Sequence, residues 1–359
     1  MAATAVRYAD RADTERALSP TVTEGIVDAG FARYFVPARW GGRDGSAAGL
    51  LEGVSALAQG CTSAAWCASV IAGAARMGAY LPEEGQAELW AKGADTTVVG
   101  ALMPRGSATE VSGGWRVTGE WDYTSAVGFS DWALVCALVP QDGARVPWFF
   151  AVPRADYRVA DTWTSVGMRG TASNTLIADN VFVPAHRGFT RQDMIEGHSV
   201  GSGARCHTAP LRLLSGLLFG APALGAARAA LHVWAEDSRT GVEEEDLGLR
   251  TAAARAVIAV DGAELLLARA ARVADAPAAT ALELVRTPAD CAYAVEQLVE
   301  VVERLLRATG SSGQLAAHPL QRIWRDVHSL ASHVALRFDP AAGAYGSRLL
   351  SPTAGIGAP

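Results

Sequence analysis

The run Trp121-Asp122-Tyr123-Thr124-Ser125 gathers two aromatic rings and two aliphatic hydroxyls beside apolar, β-type segments. Such a set can stack on a flat ring and hydrogen-bond its edge. It can equally be the aromatic packing of a hairpin, since apolar runs at Trp115–Val117 and Trp132–Val139 flank it and Gly128 supplies a turn signal. Histidine is the other candidate for chemistry, because it changes protonation near neutral pH and can take a phenolic proton or offer a hydrogen bond. The chain has seven: His186, His198, His207, His232, His318, His328 and His333. His333 follows Ser329 at helical spacing, so a shared face is expected for that pair; His328 lies off it. A histidine satisfied within its own helix is the competing reading. His186, His198, His207 and His232 lack a partner motif and read as solvent-facing or packing residues.

Composition removes several classes of function. The 359 residues are 50% hydrophobic, which suits two or three packed units. Net charge is −6, spread along the chain, so there is no basic footprint for nucleic acid. Lys92 is the sole lysine; the dominance of arginine reads as genomic base composition, not phosphate recognition. Cys61, Cys67, Cys136, Cys206 and Cys291 form no CxxC pair and no histidine spacing typical of zinc, so no metal site is expected and reduced cytoplasmic thiols are. The charged N-terminal stretch is unlike a signal peptide, and the apolar region Leu211–Trp234 is interrupted by Arg212, Arg228, Gly and Pro, so no membrane span is expected.

The elements that must position these groups fall into three blocks. Residues 1–93 read as helical, with helices at Asp13–Val27, Gly49–Gln59 and a close-packing, Ala/Gly/Ser-rich Thr62–Tyr80; Pro82-Glu83-Glu84 opens another, with its acids at the positive helix end. Residues 94–190 switch to short Val-, Thr- and aromatic-rich runs between Gly, Asp and Pro turns, which predicts a small β-barrel or sandwich. Residues 191–359 return to helix, with 3.6-period stripes over Leu249–Val273 and Ala289–Arg307 and breaks at Arg239–Leu247, Asp275–Thr280 and Thr309–Ala317. That pattern predicts an antiparallel four-helix bundle followed by a loose tail. The fold class is therefore α+β.

This order of blocks, and several motifs within it, resemble the acyl-CoA dehydrogenase superfamily over nearly the whole chain. Val36-Pro37-Ala38-Arg39-Trp40-Gly41-Gly42, Gly167-Met168-Arg169-Gly170-Thr171-Ala172-Ser173 and Asp179-Asn180-Val181-Phe182-Val183-Pro184 resemble its turn and strand motifs. Trp121–Ser125 and His318-Pro319-Leu320-Gln321-Arg322-Ile323-Trp324-Arg325-Asp326-Val327-His328 resemble its flavin-dependent monooxygenases, the oxygenase components of two-component systems. The chain departs from that pattern after Ser125, where Ala126-Val127-Gly128 replaces an immediate glycine. A dehydrogenase of this fold usually carries a C-terminal glutamate base. Here the last glutamate is Glu303, and Asp339–Gly346 has none, although some members place the base earlier.

The resemblance implies a reduced flavin, FMNH2 or FADH2, that reacts with O2 to give a C4a-hydroperoxide in a dry pocket and hydroxylates an aromatic or polycyclic small molecule. It implies Trp121, Thr124 and Ser125 against the isoalloxazine, with the Ser125 hydroxyl able to donate to N5 or to the peroxide. It places Ser173 as a further flavin ligand, Arg239 near the phosphate, and Gly310, Ser311 and Ser312 on a loop that reaches a flavin across a subunit boundary. His333 is the implied catalytic side chain, and His318 is read as structural or phosphate-near. Arg169 is read as fixing the Met168–Ser173 turn. A separate NAD(P)H:flavin reductase and a homotetramer follow from the same likeness. N-hydroxylation of an amino sugar or other amine, oxidation of an acyl thioester, and a non-catalytic scaffold role stand as alternatives.

Overall fold

The computed structural model describes residues 1–239 and 247–351, apart from the side chain of Arg239. Five helices come first: α1 (Ala2–Glu15), α2 (Pro20–Asp28), α3 (Ala47–Ala58), α4 (Thr62–Gly78) and α5 (Glu83–Leu89). The single helix expected over Asp13–Val27 is instead two. Arg16 adopts a left-handed φ of 56° at the end of α1, and Pro20 starts α2 at the first helical position, where its missing N–H costs nothing. Helix α4 is buried along nearly its whole length. Its small residues let neighbours approach closely: the Ser69 hydroxyl donates to Leu218 O at 2.5 Å.

The strands are β1 (Val98–Val111), β2 (Gly114–Thr124), β3 (Trp132–Gln141), β4 (Ala144–Pro153), β5 (Arg158–Ala160), β6 (Asn174–Pro184) and β7 (Gly188–Thr190). They form one seven-stranded sheet in the order β5-β6-β2-β1-β3-β4-β7. The hairpin expected across Trp115–Val139 is absent, because β1 lies between its two strands. β2 pairs antiparallel with β1 and β6, whereas β3 pairs parallel with β1 and antiparallel with β4. A register shift between Ala101 and Gly106 bends β1. The sheet curls, so that Trp115 on β2 meets Trp148 on β4, three strands further along, at 5.4 Å between ring centroids.

The remaining helices are α6 (Arg191–Glu196), α7 (Arg205–Thr208), α8 (Leu211–Arg239), α9 (Leu247–Asp275), α10 (Ala281–Thr309), α11 (Pro319–Ala331) and α12 (Phe338–Leu349). A reciprocal capping box between Thr280 and Glu283 starts α10. By length and composition α8 could cross a membrane, yet 72% of its apolar window is buried inside the protein. On α8, a Cβ at Gly225 would stand 2.0 Å from Ser55 O, so only glycine permits this approach to α3. The five cysteines are free and buried.

The turn between β5 and β6 is where the blocks meet. α1 and α11 hold it from two sides. Arg16 donates to Trp163 O at 2.8 Å, and Arg169 donates to Asp13 O at 2.7 Å. Arg325 on α11 forks onto Asp13 at 3.0 and 2.7 Å and also donates to Val166 O at 2.5 Å. The buried Asp326 carboxylate accepts from Met168 N at 2.5 Å. A Cβ at Gly167 would sit 2.1 Å from Arg325 O, so the helix backbone presses directly on this turn.

Candidate active site

β2 delivers Ser125 at its end, and the clamped turn delivers Thr171 and Ser173. The three hydroxyls form one chain: Ser125 Oγ to Ser173 Oγ at 2.7 Å, and Ser173 Oγ to Thr171 Oγ1 at 2.6 Å. Thr171 and Ser173 are buried, while Ser125 keeps partial exposure. From α4, the Trp66 indole N–H donates to Ser125 Oγ at 2.9 Å. The Trp66 ring meets Phe219 of α8 at 4.9 Å and, edge-on, His333 at 5.7 Å. His333 and Phe219 lie ring on ring at 3.7 Å. Ser125 and His333 therefore flank one tryptophan, the first at its N–H and the second at its ring.

His333 does not ride on the same helix as His328 and Ser329. α11 ends at Ala331, and His333 caps a following 3-10 turn, Val334–Leu336. Ser329 faces Gly167 instead, with its hydroxyl 2.6 Å from where a Cβ would be. The Nδ1 of His333 accepts from Ala335 N at 3.2 Å. Burial among aromatic rings pushes its pKa down to about 4, so it is neutral at physiological pH. With Nδ1 an acceptor, the proton sits on Nε2, and His333 presents an N–H donor.

The structure does not turn Trp121 and Thr124 toward Ser125's open side. Trp121 is 1% exposed, and its indole N–H donates to Cys136 O at 2.7 Å. Its ring fills space beside Gly106 and Gly119. The Thr124 hydroxyl is buried and donates to Trp121 O at 3.0 Å. Both shape the strand end that carries Ser125. Tyr123 is 71% exposed and packs edge-on against Trp163 at 6.1 Å.

Gly310, Ser311 and Ser312 lie away from this cluster, at the exposed end of α10. His318 marks their position: its Nε2 contacts Asp237 at 2.9 Å near the end of α8. Phe219 lies earlier on α8, about 27 Å back at 1.5 Å per residue. Arg239 ends α8, and its side chain lies outside the described residues. His207 is fully buried, with Nδ1 on Ser202 Oγ and Nε2 on Phe35 O, each at 2.7 Å, so it is a packing histidine despite having Asp44 and Cys206 beside it.

Trp66, Thr171 and Phe219 were not picked out from sequence. Trp66 had one local signal, as the aromatic residue of an Ala-, Gly- and Ser-rich helix.

Three comparisons bear on this geometry. A family model described as "Acyl-CoA dehydrogenase, C-terminal domain" matches residues 217–338. The FADH2-dependent resorcinol hydroxylase oxygenase component of Rhizobium sp. (strain MTP-10005) is 31% identical over 355 residues, covering 89% of this chain and 85% of that protein. The chain belongs to the flavin-dependent monooxygenase oxygenase components of the acyl-CoA dehydrogenase superfamily. The p-hydroxyphenylacetate 3-hydroxylase oxygenase component of Acinetobacter baumannii is 28% identical, covering 90% of this oxygenase and 81% of the relative. Among solved structures, the 3-HSA hydroxylase of Rhodococcus sp. RHA1 superposes with a TM-score of 0.91 at 26% identity, covering 96% and 93% of the two chains. XiaF from Streptomyces sp., solved with FADH2 and glycerol, gives a TM-score of 0.90 at 25% identity over 96% and 92%.

The residues of this oxygenase fit a flavin ring. The hydroxyls suit a polar heterocyclic edge, the Trp66–Phe219–His333 wall supplies apolar surface, and the contacts of Ser125 are all uncharged.

Proposed function

We propose that this oxygenase takes reduced flavin from a separate NAD(P)H:flavin reductase and uses O2 to hydroxylate a phenolic small molecule. The carrying observation is the pairing, across Trp66, of a neutral histidine with an uncharged hydroxyl chain. Bound reduced flavin would supply the electrons that activate O2. Ser125 and Ser173 would hold the ring edge, and Trp121 and Thr124 would support the strand end behind them. His333 would present Nε2–H to an oxygen atom of the reacting group. Taking a phenolic proton instead would require the other tautomer, because Nδ1 already accepts from Ala335. The aromatic wall would limit water access, which favours hydroxylation over peroxide release.

The phenol class is supported by the names of two relatives, a resorcinol hydroxylase and a p-hydroxyphenylacetate hydroxylase. FADH2 is favoured over FMNH2 by the resorcinol hydroxylase's name and by the XiaF complex. Arg239, Gly310, Ser311 and Ser312 are proposed to bind the phosphates of a flavin held by a neighbouring copy, since this loop lies at the far end of α8 from Phe219. A homotetramer is proposed with them. The exposed Ile258 and Leu265, both on α9 and each 71% exposed, support self-association. A cytoplasmic setting suits the five free cysteines. Glu303 accepts from Trp324 Nε1 at 2.6 Å and pairs with Arg307 at 2.6 Å, an arrangement that does not favour a role as a thioester-deprotonating base.

The test is turnover of a panel of phenols with FAD, NADH and a generic flavin reductase. Hydroxylated product is expected for at least one phenol. Peroxide alone with every phenol, together with acceptor-dependent oxidation of acyl-CoA, would contradict the proposal.

A further inference from the structure

One carboxylate bridges the two halves of the site. Ser125, Thr171 and Ser173 come from the strand region, whereas His333 comes from the turn after α11. Asp326 lies on α11 and is 5% exposed. Its carboxylate accepts from Met168 N at 2.5 Å, at the head of the turn that bears Thr171 and Ser173. Further along the same helix, His333 N donates to Leu330 O at 3.1 Å, so the histidine hangs from the end of α11.

The backbone of this turn needs such a hold. Met168 and Ala172 bracket it with left-handed φ of 55° and 43°, and neither is glycine. Conformations of that kind persist only where the surroundings over-determine them. Met168 O accepts from Thr171 N at 3.2 Å, Thr171 Oγ1 at 2.8 Å and Trp163 Nε1 at 3.0 Å, all on the strand side. Met168 N–H instead donates across to the helical side. The turn in its turn anchors the end of β2, because Ala126 N, directly after Ser125, donates to Thr171 O at 3.1 Å. Burying a carboxylate is costly, and so is burying a backbone N–H without an acceptor; here each offsets the other.

We propose that Asp326 is a positioning residue: it sets the spacing between the Ser125–Ser173 hydroxyls and His333, and so the share of consumed reduced flavin that ends as hydroxylated product. The inference rests on the monooxygenase reading above. Asp326 touches no ligand. A flavin edge held by the hydroxyls and a reacting group met by His333 stay in register only if the two halves keep one separation, and reaction geometry tolerates errors well below about 1 Å. Where that separation drifts, O2 takes both electrons of the flavin and leaves as H2O2, instead of giving one oxygen atom to the substrate and the other to water.

The test is the ratio of hydroxylated product to H2O2, with FAD, NADH, a generic flavin reductase and a phenol that the wild-type protein turns over. The ratio does not depend on how much protein is folded. Asp326→Ala should lower it about tenfold, the equivalent of one hydrogen bond to a charged acceptor. Asp326→Asn keeps an acceptor for Met168 N and should hold the ratio within about twofold of wild type. Asp13→Ala removes the fork that fixes Arg325 beside Asp326 and should lower the ratio about threefold, whether or not the Asp326→Ala variant folds. Thr280→Ala, which removes the capping box of α10 far from the turn, should lower stability and leave the ratio unchanged. A wild-type ratio in Asp326→Ala, or in Asp13→Ala if the former does not fold, overturns the positioning role alone. Equal uncoupling in Asp326→Asn and Asp326→Ala, or in Thr280→Ala, overturns it too. Failure of the wild-type protein to hydroxylate any phenol overturns the reading on which the role rests.

Discussion

His318 and His333 make the same local contact and differ in what their second nitrogen meets. Each caps a helical turn by accepting, at Nδ1 and 3.2 Å, the backbone N–H two residues on: Leu320 for one, Ala335 for the other. At His318 the Nε2 is tied to Asp237. At His333 no protein partner occupies Nε2 among the described residues, and the ring lies on Phe219 beside Trp66. A cap with both nitrogens engaged holds α11 to α8. A cap with one nitrogen spare can serve a ligand. The shared motif fixes orientation in both; the neighbours decide whether the residue is structural or chemical.

The sharpest way to break this comparison is to remove each ring. His333→Ala should lower hydroxylated product at least about a hundredfold while reduced flavin is still consumed with release of H2O2. His318→Ala should leave the product-to-peroxide ratio unchanged. Equal uncoupling in both variants, followed by product and peroxide assays, would erase the distinction.

Stability against pH gives the next effect, because two buried groups of this region act in opposite directions. Burial holds Asp326 up at about 6, with its bond from Met168 N–H opposing the shift. Its folded-state pKa exceeds that of the unfolded chain, so the folded state binds the extra proton between about 4 and 6, and this group's contribution falls as pH rises through that window. The upper bound is about 3 kcal/mol. Its neighbours there include Arg322, Asp13 and Arg325. Asp326→Asn, which retains an acceptor for Met168, should flatten that part of the thermal-stability profile. Burial holds His333 down at about 4, so its contribution is full above about 6.5 and is lost as pH falls toward 4. Melting curves of the Asn variant that keep the wild-type slope would mean Asp326 is ionised throughout.

Two smaller effects complete the series. His318→Ala should cost about 1 kcal/mol in denaturant unfolding, the scale of a lost helix cap. Trp66→Phe keeps the wall but removes the N–H to Ser125; flavin affinity should weaken by only a few-fold, read by titration. A loss as deep as that of His333→Ala would show that the wall, not the histidine, governs the site.

Much of the architecture was legible in the chain. The shift from Ala- and Leu-rich stretches to Val- and aromatic-rich runs near residue 94, and back near residue 190, tracks where helices give way to strands and return. The pairing of Trp115–Val139 was not legible, because local alternation cannot say that a preceding strand inserts between two runs that look like neighbours. The Asp13–Val27 break did carry a signal, Ser19-Pro20, which outweighed a modest amphipathic pattern. In the site, Ser125, Ser173 and His333 stood out through the family resemblance; Ser125 and His333 touch Trp66, and Ser173 joins them through Ser125. Thr171 sat inside a motif without a role, since its hydroxyl reaches the site only through its contact with Ser173. Trp66 and Phe219 lie in helices whose composition reads as core. Their joint surface arises only where α4, α8 and the turn after α11 converge.

The central claim is that this chain inserts oxygen from O2 into a phenol. The most direct measurement is mass spectrometry of the product formed by the protein, reduced FAD and a phenol that it turns over, under isotopically heavy O2. One heavy oxygen atom per hydroxylated product is the expected result. Product carrying oxygen from water, or heavy oxygen recovered only as hydrogen peroxide, would contradict the account.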